Sequence, residues 1–216
     1  RVIQYDGTCY HGWATQPGMP TIQGTICQAI EKLTGITVDV QGSSRTDAGV
    51  HALGQVAAFS IDSPVPTENL VRALNNLLPD DIAILQAVEV PDTFDPISDT
   101  QSKIYRYTIY TGSVRPVLQI RYCWHRPGAL DVAAMAEAAA MLVGTHDFKS
   151  FASAGDQRLS SVRTILKCDV CSGGEFIYFD VQADGFLYNM VRNIVGTLVE
   201  VGRGRWAAAD IGRILA

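Results

Sequence analysis

Apolar positions along this chain follow two rhythms, and their order repeats. A strand-like Val2-Ile3-Gln4-Tyr5-Asp6 leads through a Gly/Pro-rich loop to a stretch where Ile22, Ile26, Ile30 and Leu33 recur at helical spacing. Thr21 can cap this helix, expected over 21–34, and Gly35 closes it. β-type runs follow at 37–42 and 55–62. Leu70, Val71, Leu74, Leu77 and Leu78 mark a second helix over 67–78 that stops at Pro79, and Ile82 to Val90 reads as the next strand. The order βαββαβ is that of a ferredoxin-like split unit.

A turn-rich Pro91-Asp92-Thr93-Phe94-Asp95-Pro96 separates this half from the next. The second half restarts with strands at 103–111 and 119–124. A helix follows at 131–143, capped by Asp131 and ended at Gly144. Strands at 161–171 and 175–183 precede a helix at 186–201, with Met190, Val191, Ile194, Val195, Leu198 and Val199 on helical spacing. The expected class is therefore α+β: two ferredoxin-like halves, 1–95 and 96–216, forming a mixed, mostly antiparallel sheet flanked by helices, with a cleft between the halves as the favoured place for a ligand. The chain opens on a strand and closes on a helix-like run at 209–216. We therefore expect a fragment of a longer chain, with a final strand beyond Ala216.

Composition adds little until it is split along the chain. With 47% apolar and 18% charged residues among 216, a folded protein is expected and long disorder is not. The net charge of −5 argues at first against an anionic partner. Residues 1–100, however, hold 4 Lys/Arg against 12 Asp/Glu, whereas residues 101–216 hold 13 against 10. A basic half is compatible with an anionic ligand over one face. Five cysteines, an odd count, and no leader-like start point away from a disulfide framework and towards the cytoplasm. Cys168 and Cys171 have C-x-x-C spacing but sit in a β-type run, where positions three apart face opposite sides, so ordinary thiols are expected and no metal. No apolar run reaches the ~18 residues that would suggest a membrane span. No Gly-rich phosphate-binding pattern offers a seat for a nucleotide cofactor.

Candidate chemistry concentrates in Gly42 to Gln55, which carries Arg45, Asp47, hydroxyl residues, His51 and glycines between two β-type runs. Such a loop is either a polar hairpin or a site held out by its flanking strands. Arg45 and Asp47, two apart, share a face if the segment is extended. An attacking carboxylate must be ionised and open to substrate, which a nearby guanidinium favours, and Asp47 is the best candidate nucleophile or base. Arg192 is a lone cation in an apolar helix, either on its wet face or in a buried pair with a partner from the polar loop. Tyr105 and Tyr107 alternate with Arg106, as core-packing strand residues or as aromatics that stack an unpaired base. His51 and His146 lack metal-like spacing and read as structural.

The run Ser43-Ser44-Arg45-Thr46-Asp47-Ala48-Gly49-Val50-His51-Ala52 closely resembles the signature of the tRNA pseudouridine synthase A family. Tyr5-Asp6-Gly7-Thr8 with Gly12-Trp13, Gln16-Pro17 and Thr21-Ile22-Gln23-Gly24 is similar to the family's opening. Tyr105-Arg106-Tyr107, Gly144-Thr145-His146-Asp147-Phe148 with Ser150-Phe151, and Phe186 to Gly196 stand in the expected order, so the likeness spans nearly the whole chain. The resemblance implies an isomerase that converts uridines 38 to 40 of the tRNA anticodon arm to pseudouridine. It implies a homodimer with a basic cleft shared by both subunits, and no cofactor. Asp47 would be the catalytic aspartate, Tyr105 the aromatic on the target uracil, Arg192 the partner of Asp47, and Arg45 the side chain that fills the space of the displaced base. Ser44, Thr46, His51, Gln55, Arg106 and Phe186 complete the expected RNA-facing set. Where the family usually carries an Ala-Arg-Phe/Tyr run, this chain has Asp95-Pro96-Ile97-Ser98. The alternatives are a hydrolase of the N-glycosidic bond, which would need a second carboxylate as acid, and a non-catalytic RNA-binding module.

Overall fold

In the computed structural model, which describes residues 2–63, 65–155 and 158–215, the chain folds as two units, Arg1–Thr100 and Gln101–Ala216. The first contains β1 (Val2–Tyr5), α1 (Ile22–Thr34), β2 (Gln41–Gly42), β3 (Ala52–Ala58), α2 (Thr67–Asn75) and β4 (Ile82–Gln86). Its sheet runs β2-β3-β1-β4, with β1 antiparallel to both neighbours. This is the expected βαββαβ arrangement. The Thr21 hydroxyl oxygen accepts the Gly24 amide at the start of α1. Ile22, Ile26, Ala29 and Ile30 bury one face of that helix with Ile3, Tyr5, Ile82 and Ile84.

Four elements differ from the sequence reading in their bounds. The run at 37–42 pairs only over Gln41–Gly42, because the Gln23 amide of α1 donates to the Val40 carbonyl at 3.0 Å. The strand expected at 55–62 lies at 52–58 and starts opposite Tyr5, which shortens the polar loop and places Gln55 inside β3. α2 stops at Asn75, whose side-chain amide bonds the Ile84 carbonyl at 2.9 Å and the Ile84 amide at 2.8 Å. Asn75 thereby does for the outer edge of β4 what a neighbouring strand would do. The run expected to extend to Val90 stops at Gln86, paired with Val2.

The second unit contains β5 (Lys103–Tyr110), β6 (Trp124–His125), α3 (Val132–Ala140), β7 (Gly144–Asp147), β8 (Val162–Gly173), β9 (Phe176–Ala183), α4 (Met190–Gly202) and α5 (Asp210–Leu215). Its sheet runs β6-β5-β9-β8-β7, antiparallel except for β5 and β6. The order β8-β9-β5 repeats β2-β3-β1 of the first unit. Met135, Ala138, Phe148, Phe151, Phe179, Ile194 and Leu198 lie in its buried core. The strand expected at 119–124 is reduced to two residues, since turns starting at Pro116 and Gln119 occupy the preceding segment. The Gly144 stop leads directly into β7, which the sequence reading lacks. Cys168 is buried and its thiol is pushed up to about 12, chiefly by desolvation, whereas Cys171 is exposed. The two cysteines are therefore not a matched pair.

Arg106 and Asp180 lie directly opposite on β5 and β9, joined by two bonds of 2.7 and 2.6 Å, with the guanidinium 5.3 Å from the Tyr178 ring centre. Hydrogen bonding to Arg106 holds the Asp180 carboxyl below its usual range. The pair's stabilisation is thus complete above the ordinary carboxylate value of about 3.9 and is lost as pH falls through the lower folded value. For so exposed a pair we expect Arg106→Gln to cost about 0.5–1 kcal/mol at pH 7, measured by urea unfolding, with the difference shrinking at a pH below the ordinary carboxylate value. An equal loss at both pH values would instead assign the effect to packing on Tyr178.

Candidate active site

The loop between β2 and β3 is bound down at almost every residue except those with chemistry to offer. Ser43 donates its amide to the Val56 carbonyl at 2.8 Å. Its hydroxyl donates to Gln55 Oε1 at 3.0 Å, and Gln55 Nε2 donates to the Ser44 carbonyl at 2.6 Å. Ser43 and Gln55 are both buried. Buried polar groups need such partners, so Gln55 shapes the loop from beneath. Next, Thr46 shares a 2.8 Å hydrogen bond with the Tyr5 hydroxyl, and its carbonyl accepts the Trp13 amide at 3.0 Å. The Gly49 amide donates to the Tyr10 carbonyl at 3.2 Å, and the Val50 amide to the Asp47 carbonyl at 3.1 Å. Arg45 and Asp47 are exposed on either side of the half-buried Thr46. His51 Nδ1 accepts the Gly7 amide at 3.1 Å and lies 3.0 Å from Asp6 Oδ1, so His51 ties the loop to the turn after β1.

Two glycines permit this closeness. A Cβ on Gly7 would stand 2.0 Å from the Val50 carbonyl oxygen, and one on Gly12 2.5 Å from that of Thr46. Gly12 also has φ +89°, a backbone that other residues rarely adopt. The Asp6-Gly7-Thr8 and Gly12-Trp13 motifs are thus the bed on which the Asp47 loop lies.

In the second unit, β5 and the start of α4 assemble a separate group. The half-buried Tyr105 meets Phe186 edge to face, with ring centres 5.0 Å apart, while Arg106 leaves the opposite face of β5 and engages Asp180. α4 begins at Met190, four residues after the expected start, because Asn189 takes the left-handed conformation at φ 58°. Asparagine tolerates that region better than most residues, and here it ends the Phe186–Tyr188 segment and starts the helix. Asn193 fixes the first turn by donating to the Phe151 carbonyl at 2.8 Å and Ser153 Oγ at 3.3 Å. Arg192 is exposed on this anchored turn. Burial pushes up the Tyr107 phenol, and the positive charge of Arg192 acts in the opposite direction. The Gly144–Phe151 motif is scaffold: Phe148 and Phe151 are buried, and His146 packs edge to face on Phe148. Sequence reading passed over Asn189 and Asn193. Their signal was a pair of asparagines at the mouth of an otherwise apolar helical run.

A profile of the tRNA pseudouridine synthase family matches residues 2–97 and 138–216. The chain is 50% identical over 216 residues to tRNA pseudouridine synthase A of Moorella thermoacetica, covering 99% of this chain and 88% of that protein. It is 46% identical over 214 residues to the tRNA pseudouridine synthase A of Acetivibrio thermocellus, again covering 99% and 88%. The chain belongs to the tRNA pseudouridine synthase family. In this chain, Asp95 stands where the family resemblance leads one to expect an arginine-containing run. It accepts the Ile97 amide at 2.7 Å and the Ser98 amide at 3.3 Å, making a self-closed turn.

Because the loop rests on Gly12, Gly12→Ala should lower stability by about 1–3 kcal/mol and accelerate hydrogen exchange at the Trp13 and Gly49 amides. Unchanged protection of those two amides would mean that the loop does not depend on this contact.

Proposed function

We propose that the chain isomerises uridine to pseudouridine in the anticodon arm of tRNA. The observation that carries this reading is Asp47 itself, an exposed carboxylate on a loop shaped by the bonds of Ser43, Ser44, Thr46, Gly49, Val50 and His51. Family membership over nearly the full length supports it.

The chemistry follows from what a carboxylate can do to a nucleoside. A base within a helical stem must leave the stack before it can react, at a cost of a few kcal/mol. Asp47 then attacks, either at the sugar carbon, breaking the N-glycosidic bond, or at C6 of the ring. The glycosidic bond to N1 breaks, the uracil turns and bonds to the ribose through C5, and the Asp47 carboxylate leaves the carbon it had attacked. One proton leaves C5 and one is gained at N1, so composition is unchanged, with no oxidation and no hydrolysis. Tyr105, steadied by Phe186, packs on the uracil, Arg192 supplies the balancing cation, and Arg45 fills the space that the base leaves. Ser44, Thr46 and His51 set the loop around Asp47. The active form is a homodimer working on tRNA in the cytoplasm; no helix among the described residues is long and apolar enough to cross a membrane.

Asp47→Ala is expected to abolish tritium release from tRNA carrying 5-tritiated uridine while leaving tRNA affinity within about threefold, a change of under ~1 kcal/mol. Residual turnover in a clean preparation would overturn the assignment, and release of free uracil by the wild type would favour a hydrolase. Contacts to phosphates release counterions, so the tRNA Kd should weaken steeply between low and moderate salt. A flat salt response in filter binding would remove RNA backbone contacts from the scheme.

A further inference from the structure

α4 contains a glycine with no local reason to be there. Gly196 lies mid-helix and exposed, and a Cβ added to it would meet no heavy atom within 4 Å. Glycine weakens a helix interior relative to alanine, and here no packing constraint among the described residues accounts for it. Its surroundings do. Arg192, Gly196 and Glu200 are spaced by four and share one face of α4. Around them, with Ser150, Thr197 and Trp206, opens a shallow trough of about 430 Å³. Gly196 is among the residues that line it.

The far end of the trough is aromatic and basic. Trp206 leaves 42% of its surface exposed, and an open aromatic beside cations is how proteins stack an unpaired base. Glu200 is held by Arg203 at 3.0 Å and by Arg205 at 2.9 Å. Two guanidiniums therefore share one carboxylate, which leaves a net positive charge beside Glu200.

We propose that this trough holds an unpaired nucleotide of the tRNA next to the target uridine, its base stacked on Trp206, its backbone passing over Gly196, and its phosphate at Arg203 and Arg205 beside Glu200. The proposal rests on the assignment of tRNA as substrate. It adds a second point of grip, one to two helical turns from Arg192. Gly196 is glycine because the ligand, and not the protein, occupies the space of its side chain.

The test uses the full chain with an unmodified tRNA transcript. Gly196→Leu places a bulky side chain in the trough from a Cβ position that has no heavy atom within 4 Å, and Gly196→Ala is its fold control. We expect Gly196→Leu to raise the tRNA Kd and KM about tenfold or more, with the rate at saturating tRNA within about threefold of wild type. Gly196→Ala should melt higher and bind nearly as wild type. Trp206→Ala should weaken binding about 5- to 100-fold, and Trp206→Phe should restore most of that loss. Binding of tRNA should quench the wild-type tryptophan fluorescence, and Trp206→Phe should remove most of the quench. If wild type releases tritium while Gly196→Leu binds as tightly as wild type, the trough proposal falls and the isomerase assignment stands. If the variants weaken tRNA binding but wild type releases no tritium, the assignment falls and the trough stands. Failure of wild type to bind the transcript overturns both.

Discussion

The carbonyl of Thr46, one residue before Asp47, accepts the Trp13 amide, and the hydroxyl of the same residue meets the phenol of Tyr5. A polar loop cannot rest on a core unless its backbone groups find partners, because each one buried without a bond costs as much as the bond would contribute. Here β1 and the turns after it supply those partners, with Gly7 and Gly12 allowing backbone to meet backbone. Thr46 is drawn inward by these bonds, and its two neighbours, Arg45 and Asp47, are left outward. The Asp47 carboxylate is presented outward because the residue beside it is restrained.

The second unit reaches a comparable result by different means. Its β8-β9-β5 order matches β2-β3-β1, yet its chemistry lies on a strand and a helix start and not on a hairpin loop. Phe148, Phe151, Met190 and Ile194 are buried together, and Asn193 bonds across that contact to the Phe151 carbonyl. The first turn of α4 therefore cannot rotate without breaking a hydrogen bond over a packed core. That restraint gives the long, otherwise adaptable Arg192 side chain a fixed base. A topology used twice supplies a scaffold twice; the site residues belong to the segments laid on it.

Charge follows the same division. The first hundred residues are strongly acidic and the remainder modestly basic, so the net charge hides the side suited to an anionic polymer. Several of the basic residues are already engaged: Arg106 with Asp180, Lys167 with Asp169, Arg213 with Asp210. Arginines that share one carboxylate, as Arg203 and Arg205 share Glu200, keep a surplus of positive charge. Counting charges along the sequence could not separate these two groups.

The sequence by itself determined α1, since a stripe of isoleucines with Thr21 before it and Gly35 after it leaves little else to form. It determined the βαββαβ order, and it placed Asp47 among residues that no core would use. Period and capping are local properties, legible wherever neighbours along the chain set the outcome. The tertiary structure decided the rest. Gln23 ended β2 by taking the Val40 carbonyl, Asn75 ended α2 by bonding Ile84, and Asn189 delayed the start of α4. Gln55, expected to face RNA, became a buried brace, and Gly196, in the middle of α4, came to line an open trough. Each of these outcomes turns on a partner, or an empty space, contributed by residues distant in sequence or by the packing around them, where no local pattern carries the information.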